Sequence, residues 1–184
     1  YYRLDSVTTV EKSKKWNPKV AIENNMYRYT GQFIKIEVEP LLLKDIGKYY
    51  EDRGLINPFD EVPEAFNYIF FRVRMENLSK ESTLDFSPAS ALMDDCLAKD
   101  ETHIYQMFEE KSTGERKMEA CGKTIFLKPL SLPPQMWIER LMFFEYDDPM
   151  PRKKISLILS NITVGKEIFE EVFPFRTKFV KERK

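Results

Sequence analysis

The chain has 184 residues, of which 42% are hydrophobic and 32% charged; this composition supports one sizeable folded domain and excludes disorder or a collagen-like repeat. Its 29 basic and 30 acidic side chains give a formal net charge of −1, so a domain-wide basic footprint for nucleic acid is absent. No apolar run approaches the roughly 20 residues that cross a bilayer as a helix.

Residues 1–26 read as a polar lead-in. Lys12, Lys14, Lys15 and Lys19 surround Trp16 and Pro18, which suits a surface-draped segment, or a tether that brings the domain near a membrane with Trp16 docking at its interface. The chain begins at Tyr1 rather than at a methionine, a weak hint of export. From Tyr27 the pattern changes. Ile34, Ile36 and Val38 alternate with Lys35, Glu37 and Glu39, the period of a strand with one wet face, which Pro40 is expected to stop. The long connection from Leu41 to Pro63 carries a short helix around Lys44–Arg53, then breaks at Asn57-Pro58 and Pro63. A connection of this length folds over a sheet edge or forms a binding surface, and Tyr49, Tyr50 and Phe59 can serve either purpose.

Ala65–Glu76 is the clearest strand, with Ile69, Phe71, Val73 and Met75 on one face. Asn77-Leu78-Ser79 turns the chain, and Pro88 divides two short strands, Thr83–Ser87 and Ala89–Asp94. Residues 98–122 fit either a helix capped by Asp100 or a strand around His103–Met107. Thr124–Leu130 reads as a strand closed by Leu132-Pro133-Pro134. Trp137–Tyr146 is apolar on both faces, as a central strand covered on both sides would be, with Trp137 in the core. Ile155–Asn161 alternates again, Val164–Phe175 closes the domain, and residues 177–184 read as a basic tail that frays. The expectation is a mainly β domain over residues 27–176, an antiparallel sandwich of about seven to nine strands with one or two short helices in its long connections.

Scarce residues exclude several chemistries. His103 is the only histidine, so multi-histidine metal sites and the H-E-x-x-H helix are impossible. No G-x-S-x-G or G-x-G-x-x-G occurs; Gly122-Lys123-Thr124 ends like a phosphate loop, but Lys117 stands where the leading glycine would fall. Asp94 with Asp95, Asp100 with Glu101 and Asp147 with Asp148 are adjacent acids that read as solvated turns rather than a calcium loop. The eight methionines are scattered and suit core filling better than copper. Nothing raises one pair of carboxylates above another as a glycosidase couple. No cofactor, obligatory metal or catalytic residue is therefore expected. Cys96 and Cys121 either pair as a disulfide in an oxidising compartment or remain small buried residues.

Phe71-Arg72-Val73-Arg74-Met75-Glu76-Asn77-Leu78-Ser79 is a strand ending in an Asn-x-Ser corner. Pro88–Asp95 forms the next strand and its turn, and Leu132-Pro133-Pro134, Trp137–Glu145 and Ile155–Leu159 supply closing strands. From Phe66 to Phe175 this pattern resembles the small immunoglobulin-like domains of bacterial exported proteins and lipoproteins. The resemblance implies an immunoglobulin-like β-sandwich outside the cytoplasm, in the periplasm or cell envelope. The 41–63 insertion and the 98–122 excursion depart from it. The expected function is a non-enzymatic interaction module that docks a protein partner in an envelope assembly, with Trp16, Tyr49, Tyr50 and Phe59 as candidate contacts. The competing expectation is a carbohydrate or lipid binder using a cleft under the 41–63 insertion.

Overall fold

The structure is a computed structural model that describes residues 2–10, 18–110, 112–146 and 152–181. In chain order the strands begin with β1 Tyr2–Thr9, β2 Val20–Glu23, β3 Met26–Thr30 and β4 Ile34–Leu41, followed by helix α1 Leu43–Glu51. After a 3-10 turn at Pro63–Asn67 come β5 Tyr68–Asn77, β6 Leu84–Phe86, β7 Ala91–Met93 and β8 Cys96–Leu97. Helices α2 Glu101–Phe108 and α3 Gly114–Thr124 precede β9 Leu130–Leu132, β10 Trp137–Glu145, β11 Lys154–Val164 and β12 Glu167–Lys181.

Two antiparallel sheets face each other, as the alternating patterns predict. Sheet A runs β1-β12-β11-β6-β9, with β7 also on β11 and β8 on β7; sheet B runs β10-β5-β4-β3-β2. Four consecutive strands, β2 to β5, thus form a meander within one sheet, whereas no four consecutive strands of an immunoglobulin sandwich share a sheet. The inward faces share one apolar core that includes Ile36, Val38, Phe71, Val73, Phe144, Leu157, Phe173 and Phe175. On the outer side of sheet B lies a second apolar cluster. Phe70, Leu141 and Phe143 look outward from the strands and are covered by Tyr50, Phe59, Ile104, Phe108 and Cys121. The molecule is therefore three layers: sheet A, sheet B and a blanket made from the 41–67 and 98–127 segments.

The blanket explains why β10 is apolar on both faces, but β10 is an edge strand rather than a central one. Its flank is occupied by other backbone: the Phe126 N–H donates to Leu141 O at 2.9 Å and the Lys99 N–H to Phe143 O at 2.9 Å, while Ile125 bridges Leu141 in parallel. Trp137, expected in the core, is 52% exposed and lies under the Arg74 guanidinium, 4.0 Å from its ring centre. Pro40 does not stop β4. It pairs with Phe71, past the point where the β3–β4 ladder ends at Val38, so its missing donor is tolerated.

The largest departures are at the two ends and in the middle. Residues 2–9 and 20–26 are not a lead-in: β1 pairs with β12 from Tyr2↔Lys181 to Thr9↔Phe175, and β2 pairs with β3. By the same pairing, Thr177–Lys181 is strand rather than a fraying tail, because Thr177 still points into the core while Lys178 points out. The 98–122 stretch forms its structure as two helices, Glu101–Phe108 and Gly114–Thr124, and not as a strand. Asp100 caps α2, its Oδ1 accepting from the His103 N–H at 3.2 Å. The stretch from Thr124 reads as strand because Thr124, Ile125 and Phe126 favour β structure. Thr124 instead ends α3, its hydroxyl donating to Ala120 O at 2.8 Å and also bonded to the Tyr50 hydroxyl at 2.7 Å.

The Asn77 corner is a buried polar lock. Its side-chain nitrogen donates to Ser82 O at 2.8 Å and Leu132 O at 3.0 Å, and its oxygen accepts from the Ser79 N–H at 3.0 Å. All its side-chain partners are main-chain groups, so the end of β5 is tied to β9 and to its own turn.

Candidate functional site

The 41–63 insertion does not present its aromatics. Tyr50 and Phe59 are at most 1% exposed and Tyr49 is 7% exposed. Phe59 packs edge-on against Phe70 and Phe143 at 4.8 and 5.2 Å, and Tyr49 packs against Tyr50 at 5.3 Å. The Arg53 guanidinium covers Tyr49, 3.6 Å from its ring centre, and pairs with Glu139 at 2.8 Å. From below, the ammonium of the buried Lys117 donates to Asp60 O at 3.0 Å, with Glu61 at 3.6 Å. Tyr49, Tyr50 and Phe59 therefore serve as packing against sheet B, where hydrophobic gain outweighs display. Trp16, the fourth candidate, lies outside the described residues.

Two grooves flank the insertion. One of about 470 Å³ runs between β1, the start of α1 and the 63–67 turn, lined by Arg3, Leu4, Asp5, Lys44, Phe66 and Tyr68 among others. The second, about 340 Å³, lies between that turn and α2 and contains Glu64, Tyr68, Lys99, His103 and Gln106. His103 is half-exposed, with Nδ1 2.8 Å from Asp100 Oδ1, and this hydrogen bond holds the Asp100 carboxyl below its ordinary value. Lys99 pairs with Glu145 at 2.7 Å. Burial, with Glu145 and Glu64 adding repulsion, pushes the Tyr68 phenol up to about 12. No serine, threonine or cysteine is among the residues that line this groove, and its one hydroxyl is the Tyr68 phenol.

The other candidates have structural partners. Cys96 and Cys121 are free thiols, not a disulfide. Cys121 sits inside the blanket on α3, where burial pushes its thiol up to about 12, whereas Cys96 stands on the β7–β8 hairpin of sheet A. Asp94 accepts from the Ser156 N–H at 2.8 Å and pairs with Arg152 at 3.2 Å; Glu101 pairs with Lys128 at 3.3 Å. Among the described residues, no three acidic, histidine or cysteine side chains gather as metal ligands. Asp147 and Asp148 lie outside the described residues.

A different surface stands out. The outer face of sheet A should be wet, since the blanket covers only sheet B. Yet one cross-strand row on it is apolar throughout: Val172 pairs with Ile158, Ile158 with Leu92, and Leu92 with Leu97. Leu97 is 63% exposed and Val172 49%, and Ile168, 71% exposed, lies four residues along β12 on the same face. Exposed apolar residues scattered singly are ordinary, but a row across four strands is a patch. Its sequence signal is an apolar residue at a wet position: Ile158 between Leu157 and Leu159, and Val172 before Phe173. Local periodicity carries no register, so the alignment of the four is visible only in the folded sheet. Comparison with protein-family models, with curated proteins and with solved structures returns no match for the chain.

Proposed function

We propose that the chain is a non-enzymatic interaction module that docks a protein partner, and that it does so through the outer face of sheet A rather than through the 41–63 insertion. The observation that carries this reading is the Leu97–Leu92–Ile158–Val172 row, an apolar stripe, exposed at Leu97 and Val172 and partly exposed between them, on a face that no other element of the described chain covers. The insertion supports the same reading by its burial, since its aromatics are committed to the second core. The setting, an assembly in the cell envelope, belongs to the proposal through the likeness of residues 66–175 to exported sandwich domains.

The test is site-specific photo-crosslinking in cells that make the protein, with the photoreactive residue at position 97, 172 or, as a control on α1, at Glu51. Covalent adducts from 97 and 172 but not from 51 are expected. Adducts from 51 alone would return the contact to the insertion, and their absence at all three positions would overturn the docking reading. A small-ligand function is favoured by one feature, the groove of about 470 Å³ beside Phe66 and Tyr68, which falls within the usual size of ligand sites. Chemical-shift changes centred on those two residues during titration with oligosaccharides or fatty acids would move the function there.

A further inference from the structure

The apolar row has charge on both sides of it, and the two sides differ in sign. Counting along β12 from Val172, the outward residues toward the carboxyl end are Pro174, Arg176 and Lys178, and toward the amino end Glu170 and Ile168. The neighbouring strands repeat this. Lys154 of β11 pairs with Arg176, and Asp85 of β6 pairs with Thr163, which itself pairs with Ile168. The face is therefore basic at Lys154 and Arg176, where the Asp94–Asp95 turn is itself paired with Arg152 at 3.2 and 3.7 Å, apolar across its middle, and acidic at Glu170 and Asp85. The charged positions lie two to four residues from the row, about 7–13 Å along the strands. Lys178 is paired with Asp5 at 3.5 Å, and Asp85 accepts a hydrogen bond from the Ser131 hydroxyl. Among the described residues no ion pair engages Lys154, Arg176 or Glu170.

An acidic partner would match one end of this face and be repelled at the other, and a basic partner likewise. A second copy, turned over about a two-fold axis parallel to the row, matches both ends at once. That rotation sets each apolar residue against its own equivalent and reverses the strand direction. The Lys154 and Arg176 end of each copy then lies over the Glu170 and Asp85 end of the other. A two-fold axis along the strands would instead lay basic on basic, so the charge pattern selects between the two arrangements. We infer that the outer face of sheet A is a self-complementary interface between two copies of this chain, closed by the apolar row and oriented by the charges on either side. This rests on the docking reading above and names its partner. Four strands and nine residues along β12 give a footprint on the order of 500 Å² per copy, at the lower bound of a specific interface, so the expected dimer is weak and reversible.

The experiment is sedimentation of the full chain from about 5 to 300 µM, where a dimer with a Kd of some tens of micromolar passes from mostly monomer to mostly dimer. Val172→Glu or Leu97→Glu should raise the dissociation constant about 30-fold or more; unchanged circular dichroism and melting temperature would show that the fold survives. Arg176→Glu and Glu170→Arg should each weaken the homodimer. An equimolar mixture of the two should recover association, because each cross-pair then joins opposite charges. Wild-type chain that stays monomeric at 300 µM overturns the self-complementary interface. So do crosslinks from position 172 whose mass is that of a different protein, although these would leave the docking reading standing. Absence of any crosslink at 97 and 172 removes both. Association that both charge variants weaken but the mixture fails to recover overturns the proposed orientation.

Discussion

At the scale of single residues, the polar groups that matter join one sheet to the other. The Tyr27 hydroxyl on β3 donates to Pro174 O on β12 and accepts from the Val10 N–H at 2.7 Å. Glu171 on β12 accepts from the Tyr29 hydroxyl, yet burial outweighs that bond and raises its carboxyl above the ordinary 4.5. The sign of the linkage follows from the raised value. Between the unfolded and folded values the native chain holds a proton that the unfolded chain has released. The group's contribution to stability is therefore complete below about pH 4.5 and is lost as pH rises through the folded value. Glu171→Gln keeps a hydrogen-bonding side chain and removes the titration. Its urea midpoint, relative to that of the wild type, should rise between pH 4.5 and pH 7.5; a constant difference across that range would show that the fold does not raise the Glu171 carboxyl. No local pattern marks Glu171, since an acid at the inward position of β12 looks the same in sequence as the outward Glu170.

At the scale of elements, the strands most legible in the sequence were those with one wet face. In β4 and the second half of β5 the alternation of Ile36, Val38, Val73 and Met75 with Lys35, Glu37, Arg72 and Arg74 is the direct imprint of the part of sheet B that the blanket leaves partly exposed. The blanket segments were less legible because their pattern depends on partners far away in the chain. Thr124 and Ile125 favour strand on their own, yet Thr124 ends α3 with its hydroxyl bonded to Ala120 O and to Tyr50, 74 residues earlier, while Ile125 makes only a single bridge to Leu141. The same coupling changes what the insertion is for. Deleting residues 44–61 would strip Ile46, Tyr49, Tyr50 and Phe59 from the second core, so loss of binding in such a variant would report unfolding. Phe59→Ala is the sharper probe. It removes a ring held by Phe70, Phe143 and Tyr68 and should cost about 3–5 kcal/mol in chemical denaturation. A loss below about 1 kcal/mol would show that the blanket packs loosely on sheet B.

At the scale of the whole molecule, the first and last strands belong to the fold. Tyr2–Thr9 and Thr177–Lys181 are partners across sheet A, so the first and last strands close the sheet together. Their sequences are polar because β1 and the end of β12 form an edge with a charged exterior, and periodicity alone reads such an edge as a lead-in and a tail. Removing residues 177–184 should therefore lower the melting temperature by several degrees and increase amide exchange in residues 2–9, whereas a true tail would leave both unchanged. The two-sheet architecture was legible from period-two patterns. The third layer and the β2–β5 meander were not, because both are facts of pairing between distant segments rather than of local alternation.

The backbone that seals the flank of β10 comes from residues 98–127, the same stretch that builds α2 and α3. Lys99, Ile125 and Phe126 can hold that flank only while α2 and α3 are docked on sheet B. In any state in which they are not docked, the outer carbonyls of Leu141 and Phe143 lose these partners and can template a strand from another chain. A substitution that slows docking of α2 or α3, without altering either sheet, would prolong that state and show itself as lower soluble yield and inclusion bodies in the cell.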